Sequence, residues 1–245
     1  MSEIEEMSVP DETAPHYRLH GSPDSANFVV RMILEELGVP YDYVPVDRLV
    51  LEQKSEAYRK LNPQGLIPVL EIEGQDAPMF ETGAILLFLS DTHGRLAPDT
   101  FSSERGRFLK WLFFLSNTLH SDLRISFKPH RYLKDRNQLD VIAEPLMARI
   151  STSFQQIEKE IAATGGPYVL GDRLSCLDHY LAACARWAQV YGCCGDWSLK
   201  ATPGMRNMLE ELELRPAVRH ACKQELIEGS PFVTPKAVTL PGTTT

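Results

Sequence analysis

Long apolar runs are missing from this 245-residue chain. None approaches the ~20 residues that a membrane-spanning helix needs, so no membrane contact is expected. The amino terminus shows no basic patch followed by an apolar one, so no secretory leader is expected either. Cysteine is sparse: five are present, Cys193 and Cys194 adjacent and the rest scattered, with no CxxC and no metal-ligand spacing. Reduced thiols, a cytoplasmic location and no bound metal are the expectation. Positive charge is also scarce, with 25 Lys and Arg against 33 Asp and Glu and a net charge of −8. That balance argues against nucleic acid, whose binding depends on cations that neutralise phosphates. Residues 1–15 hold Glu3, Glu5, Glu6, Asp11 and Glu12 but no Lys or Arg, and read as a disordered, solvated acidic tail.

What is present is ordinary globular material: 43% apolar and 24% charged residues, enough for one large or two modest domains with real cores. Tyr17 to His20 reads as a first strand, and Gly21-Ser22-Pro23-Asp24 turns the chain into a helix from about Ser25 to Leu37. Val29, Met32, Ile33 and Leu37 share one face of it, while Arg31, Glu35 and Glu36 face away. Tyr41 to Val46 alternates as a second strand, parallel to the first because a helix joins them. A weaker helix over Glu52–Lys60 and a hairpin of Val69–Ile72 with Pro78–Phe80 follow. The pattern breaks at His93–Asp99. Beyond it everything reads helical, with apolar stripes at Phe108, Trp111, Leu112, Leu115 and Leu119, and at Ile142, Leu146, Ile150, Phe154, Ile157 and Ile161. Pro145 would kink or start that second helix. Ser175-Cys176-Leu177-Asp178 reads as a capping box that starts another helix. The expected organisation is 16–94 as an α/β domain, 95–102 as linker, 103–228 as a helical domain and 229–245 as a Pro/Thr-rich tail.

The stretch from Leu61 to Leu70, with Phe80 to Ile85 just after it, organises the chain. Asn62-Pro63-Gln64-Gly65 marks a turn, and Leu66 to Leu70 reads as a buried strand interrupted by Pro68. A proline lacks the donor a central strand requires, so a cis Ile67–Pro68 bond at a bend is expected, with the Ile67 backbone open to a ligand. Glu81-Thr82 opens an apolar helix. A carboxylate beside a hydroxyl, next to free helix N–H groups, forms a small receptor for an amino-acid-like head group. Both residues could also act simply as caps, and the two roles can coexist.

The order strand, helix, strand, "NPxGxIPVL", "FET" and apolar helix resembles the amino-terminal domain of soluble glutathione transferases, over roughly Tyr17 to Ala221. The resemblance implies a thioredoxin-like βαβαββα domain followed by an all-α helical bundle, in a homodimer, with a detoxifying role. It implies glutathione as co-substrate, with the Ile67 backbone beside Pro68 on its cysteinyl part and Glu81 and Thr82 on its γ-glutamyl end. Gln64 occupies a turn position that would touch the ligand backbone. The capping box resembles one at the start of the family's central helix, which makes Asp178 a folding residue.

A free thiol with a pKa near 8.5 is only a few per cent thiolate at neutral pH, so such a site must stabilise the anion. Enzymes of this superfamily place Tyr, Ser or Cys in the turn that here reads Ser22-Pro23-Asp24-Ser25-Ala26-Asn27. Alignment on Pro23 and Leu34 with the similar bacterial beta class sets Ala26 where that class has its active-site cysteine, so no mixed disulfide can form there. The remaining donors rank as Asn27, then Ser25, then Ser22, although a serine here commonly caps the helix. Leu119-His120-Ser121 resembles a Leu-His-Lys segment that faces the beta-class cleft. By helical spacing Arg124 could receive an acidic co-substrate, while Phe127 and Tyr132 form an apolar wall. The leading expectation is a glutathione S-transferase acting on a small hydrophobic electrophile. The alternatives are a non-catalytic glutathione or protein binder, and a glutathione-dependent isomerase or peroxidase.

Overall fold

The computed structural model describes residues 15–133, 135 and 139–239, so the acidic segment falls outside the description apart from residue 15. Strand β1 (Tyr17–Gly21) and β2 (Tyr41–Pro45) pair in parallel around helix α1 (Asn27–Leu37). A single-turn 3₁₀ segment, Glu52–Lys54, and helix α2 (Glu56–Leu61) follow, the latter capped by Ser55 Oγ, which accepts the Tyr58 amide at 3.1 Å. Strand β3 (Val69–Ile72) runs antiparallel to β1, with Leu19 opposite Leu70, and β4 (Met79–Phe80) runs antiparallel to β3. The sheet order is β2-β1-β3-β4, and helix α3 (Thr82–Thr92) closes a thioredoxin-like unit.

The helical half begins at α4 (Arg105–Phe114) and continues through a π-helical turn, Leu115–Leu119, into α5 (His120–Phe127). Helices α6 (Leu139–Thr164), α7 (Cys176–Val190), α8 (Pro203–Leu214) and α9 (Pro216–Gln224) complete it. Pro145 lies inside α6, nearly two turns past its first residue and not at its start. The α7 capping box is in place, with the Ser175 amide donating to Asp178 Oδ2 at 2.8 Å. Asp178 Oδ1 also accepts the Val169 amide, so this one carboxylate ties the preceding loop to the helix start.

One apolar core runs through both halves, from Leu19 and Ile33 to Leu181 and Leu209. Here the structure departs from the amphipathic reading of α1. Its polar face is not solvated: Arg31 and Glu36 are 3% and 8% exposed. That face docks on the helical half through charge pairs. Arg31 Nε donates to Glu225 Oε1 at 2.6 Å, and the Arg215 guanidinium forks onto Glu36 through Nε and Nη2, the latter at 2.6 Å. Part of the segment expected as a Pro/Thr-rich tail packs on the fold. Phe232 is fully buried and stacks on Phe28, and Arg186 Nη1 and Nη2 donate to the Pro231 and Lys236 carbonyls.

The Glu36 pair sets an acid limit on stability. Burial pushes its carboxyl up, but the Arg215 fork and then His179 outweigh that and hold it at about 2. A carboxylate with a depressed folded pKa contributes stability above its unfolded value, and loses it as pH falls toward the folded one. Stability should therefore drop by up to about 3 kcal/mol between pH ~5 and ~2. Urea unfolding of Arg215→Gln should show a lower plateau at neutral pH and a flatter acid limb. A wild-type limb as flat as the variant's would contradict the assignment.

Candidate functional site

A cavity of about 270 Å³ opens between the sheet domain and the helical half. Its sheet-side wall comes from the turn before α1, the segment before β3 and the start of α3; its far wall comes from the π-helical turn, α5 and α7. Ser25, Gln64, Ile67, Pro68, Glu81, Thr82, His120, Arg124 and Phe127 all line it, which brings together residues separated by more than a hundred positions. The Ile67–Pro68 peptide is cis.

The start of α3 is built for a polar ligand. Its first-turn amides have no partner inside the helix, and Thr82 is buried there with its side chain on the cavity. Glu81 just before it has φ 74° and ψ 109°, a backbone region in which only glycine is comfortable. Its Oε1 accepts from Gln64 Nε2 at 3.0 Å, linking the two halves of the motif. Gly83 lies so close to the helical half that a Cβ there would come within 3.1 Å of the Ser116 side chain. The two walls therefore meet directly at this point.

The turn before α1 is organised differently from expectation. Asn27, the first-ranked donor, is fully buried and does not line the cavity. Its Oδ1 accepts the Ser22 amide at 2.9 Å and the Ser25 hydroxyl, and its Nδ2 donates to Glu225 Oε1 at 2.7 Å. A Cβ on Gly21 would collide with its side chain, so the end of β1 and Asn27 fit only because residue 21 is glycine. Ser22 is buried off the cavity too, its hydroxyl accepting from Arg48 Nε at 3.0 Å. Of the three proposed donors only Ser25 reaches the cavity, beside Ala26.

Beneath this turn lies a buried ionic network. Arg186 on α7, fully buried, holds both Asp24 carboxylate oxygens at 2.8 Å, and the Asp24 amide donates to Glu225 Oε2 at 3.0 Å. The turn is thus clamped from α7 and from the residue that follows α9. No local pattern signals this, because the partners lie 162 and 201 residues away.

On the far wall His120 Nδ1 lies 2.8 Å from the Tyr180 hydroxyl, and its ring tilts over Trp187 with centroids 4.9 Å apart. Burial, with the Arg124 charge second, pushes the imidazole down to about 4, so it is neutral at physiological pH. Phe127 stacks on Tyr191 at 4.6 Å, and that pair forms the apolar wall. Tyr132, expected beside Phe127, is 45% exposed and away from the cavity. Sequence reasoning missed Arg48, Lys128 and Arg131, which line the cavity and read from sequence as solvated charges. It also missed Gln53, whose Oε1 is buried on the wall without a partner among the described residues.

Residues 19–98 match the family described as glutathione S-transferase, N-terminal domain. A glutathione S-transferase-like protein, OpS6, from Beauveria bassiana is 29% identical over 62% of this chain and 72% of its own. Glutathione S-transferase GST-4.5 from Xanthomonas campestris is 24% identical over 71% and 84%. Among solved structures, a glutathione transferase from Methylococcus capsulatus superposes with a TM-score of 0.72 at 26% identity, over 85% of this chain and 98% of that one. A glutathione transferase homologue from Sulfitobacter with bound glutathione reaches 0.75 at 24% identity, with the same coverage, and speaks for the fold.

Proposed function

We propose that this member of the soluble glutathione S-transferase superfamily binds glutathione against the sheet domain and promotes attack of its thiolate on an electrophile held against α5 and α7. The observation that carries the reading is the convergence of Ile67, Glu81, Thr82 and Ser25 on one cavity that the helical half completes. In this reading the Ile67 backbone pairs with the cysteinyl unit. Thr82 and the α3 amides take the γ-glutamyl carboxylate, and Glu81 takes its ammonium. Gln64 and Gln53 contact the rest of the peptide backbone. The sulfur then faces Ser25, Ala26 and the amino end of α1, whose dipole favours an anion.

The Ser25 hydroxyl carries one proton, now given to Asn27 Oδ1. When thiolate arrives it turns to the sulfur, and Asn27 keeps the Ser22 amide. The sulfur forms a C–S bond, the leaving group departs with its bonding pair, and the thiol proton goes to solvent. Positioning and stabilised thiolate charge supply the acceleration. The similarity to the beta class without its cysteine, the homodimer and the 95–102 domain boundary belong to the same reading.

Ser25→Ala should lower kcat/KM for a chlorodinitrobenzene about tenfold to a hundredfold, as expected for one charge-assisted hydrogen bond. It should also raise the pKa of bound glutathione, followed by thiolate ultraviolet absorbance. An unchanged thiol titration would remove Ser25 from the role. The engagement of both Asn27 and Ser25 in the network favours a second reading, a binder without turnover. Tight glutathione binding by calorimetry, with no turnover across a broad electrophile panel, would establish it.

A further inference from the structure

The chain carries a net charge of −8, yet the cleft between its two halves is walled by cations: Arg48, Arg124, Lys128 and Arg131. Two acids share that wall: Asp24 is neutralised by the Arg186 fork, and Glu81, bonded to the neutral Gln64 amide, is the residue assigned above to the γ-glutamyl ammonium. Among the described residues none of the four cations pairs with a carboxylate. Arg48 donates to the Ser22 hydroxyl and the Pro23 carbonyl, neutral groups that leave its charge uncompensated. Arg124 Nε is buried with no acceptor among the described residues. The cations crowd each other: burial first, then Arg131 and Arg48, pull the Lys128 ammonium down.

Holding like charges together in a partly desolvated cleft is unfavourable unless an anion joins them. Glutathione cannot satisfy them all. Its γ-glutamyl carboxylate goes to the start of α3 and its thiolate to Ser25 and the amino end of α1, which leaves a single glycyl carboxylate for four cations. Resting on the transferase reading above, we infer that the second substrate is itself an anion, an electrophile bearing a carboxylate that Arg124 and Lys128 receive on the α5 wall, with the apolar body against Phe127 and Tyr191. This extends the acidic co-substrate expected at Arg124 to a site that Lys128 shares. The cationic wall also raises the local concentration of such a substrate in an otherwise acidic protein.

The test compares 4-chloro-3,5-dinitrobenzoate with its neutral carboxamide. In both, sulfur bonds the chlorine-bearing carbon and chloride leaves with the bonding pair. Each kcat/KM is divided by the spontaneous rate with glutathione. The carboxylate should be favoured about tenfold or more, and that ratio should collapse toward one in Arg124→Gln and Lys128→Gln. Equal enhancement of both substrates by wild type would overturn the inference and leave the transferase reading intact. A parallel calorimetric titration uses the two preformed S-aryl glutathione conjugates. Tighter binding of the carboxylate conjugate without turnover of either substrate would support the anion site and sink the transferase reading. No discrimination by either assay would sink the inference.

Discussion

Glu225→Ala should cost the protein about 3–5 kcal/mol, a large share of the stability of an ordinary domain. Glu225 is fully buried and accepts from Arg31 Nε, Asn27 Nδ2 and the Asp24 amide. Its loss strands the Arg31 charge, whose remaining contacts are the Tyr41 hydroxyl and the face of Tyr43, 3.9 Å from the ring centroid. A buried cation without its counter-ion is among the most destabilising single changes available. Glu225→Gln keeps the acceptor oxygen for part of the network and should lose less. Urea unfolding of the three proteins measures the effect. A loss under about 1 kcal/mol in the alanine variant would show that the network is not what clamps the turn. The same variant should weaken glutathione binding, because Asp24 and Asn27 both shape the Ser22–Ala26 turn from below.

The second large effect separates binding from folding at one residue. Glu81→Gly should stabilise the fold by about 1 kcal/mol and weaken glutathione binding about tenfold to a hundredfold. The stabilisation arises because φ 74° is strained for glutamate and relaxed for glycine, less glycine's larger entropy loss. The binding loss arises because the carboxylate proposed to hold the γ-glutamyl ammonium is gone, along with the Gln64 hydrogen bond. A residue kept in a strained conformation while facing a cavity is most simply explained by what its side chain holds. Thermal unfolding and calorimetry read the two effects separately. A variant that loses stability and keeps glutathione affinity would reverse the argument.

These predictions draw on features that were unequally legible in the amino-acid chain. Local chemistry was readable: Pro68 in an apolar run, Glu81-Thr82 at a helix start, the Ser175–Asp178 box and the alternation of the strands each carry their signal within a few residues. Long-range charge pairing was not. Arg31 and Glu36 fall on the face of α1 that periodicity assigns to water, and the distant Glu225, Arg215 and His179 make their burial tolerable. The same blindness ranked Asn27 as a ligand donor, when its amide is committed to Glu225. Tyr132 failed for another reason: helical spacing was extended past Phe127, where α5 ends and a 3₁₀ turn at Pro129–Arg131 redirects the chain. The π-helical turn at Leu115–Leu119, which carries Ser116 and Asn117 on the cavity wall, has no signature that apolar stripes could reveal. Lys128 and Arg131 look like any solvated cations until the fold turns them onto the cavity.

The most direct measurement is a crystal structure of the protein soaked with glutathione. The account predicts the tripeptide in the inter-domain cavity, with the cysteinyl backbone paired to Ile67, the γ-glutamyl carboxylate on Thr82 and its ammonium on Glu81, and sulfur beside Ser25. Glutathione seated elsewhere at saturating concentration, with Ile67 and Thr82 untouched, would contradict it.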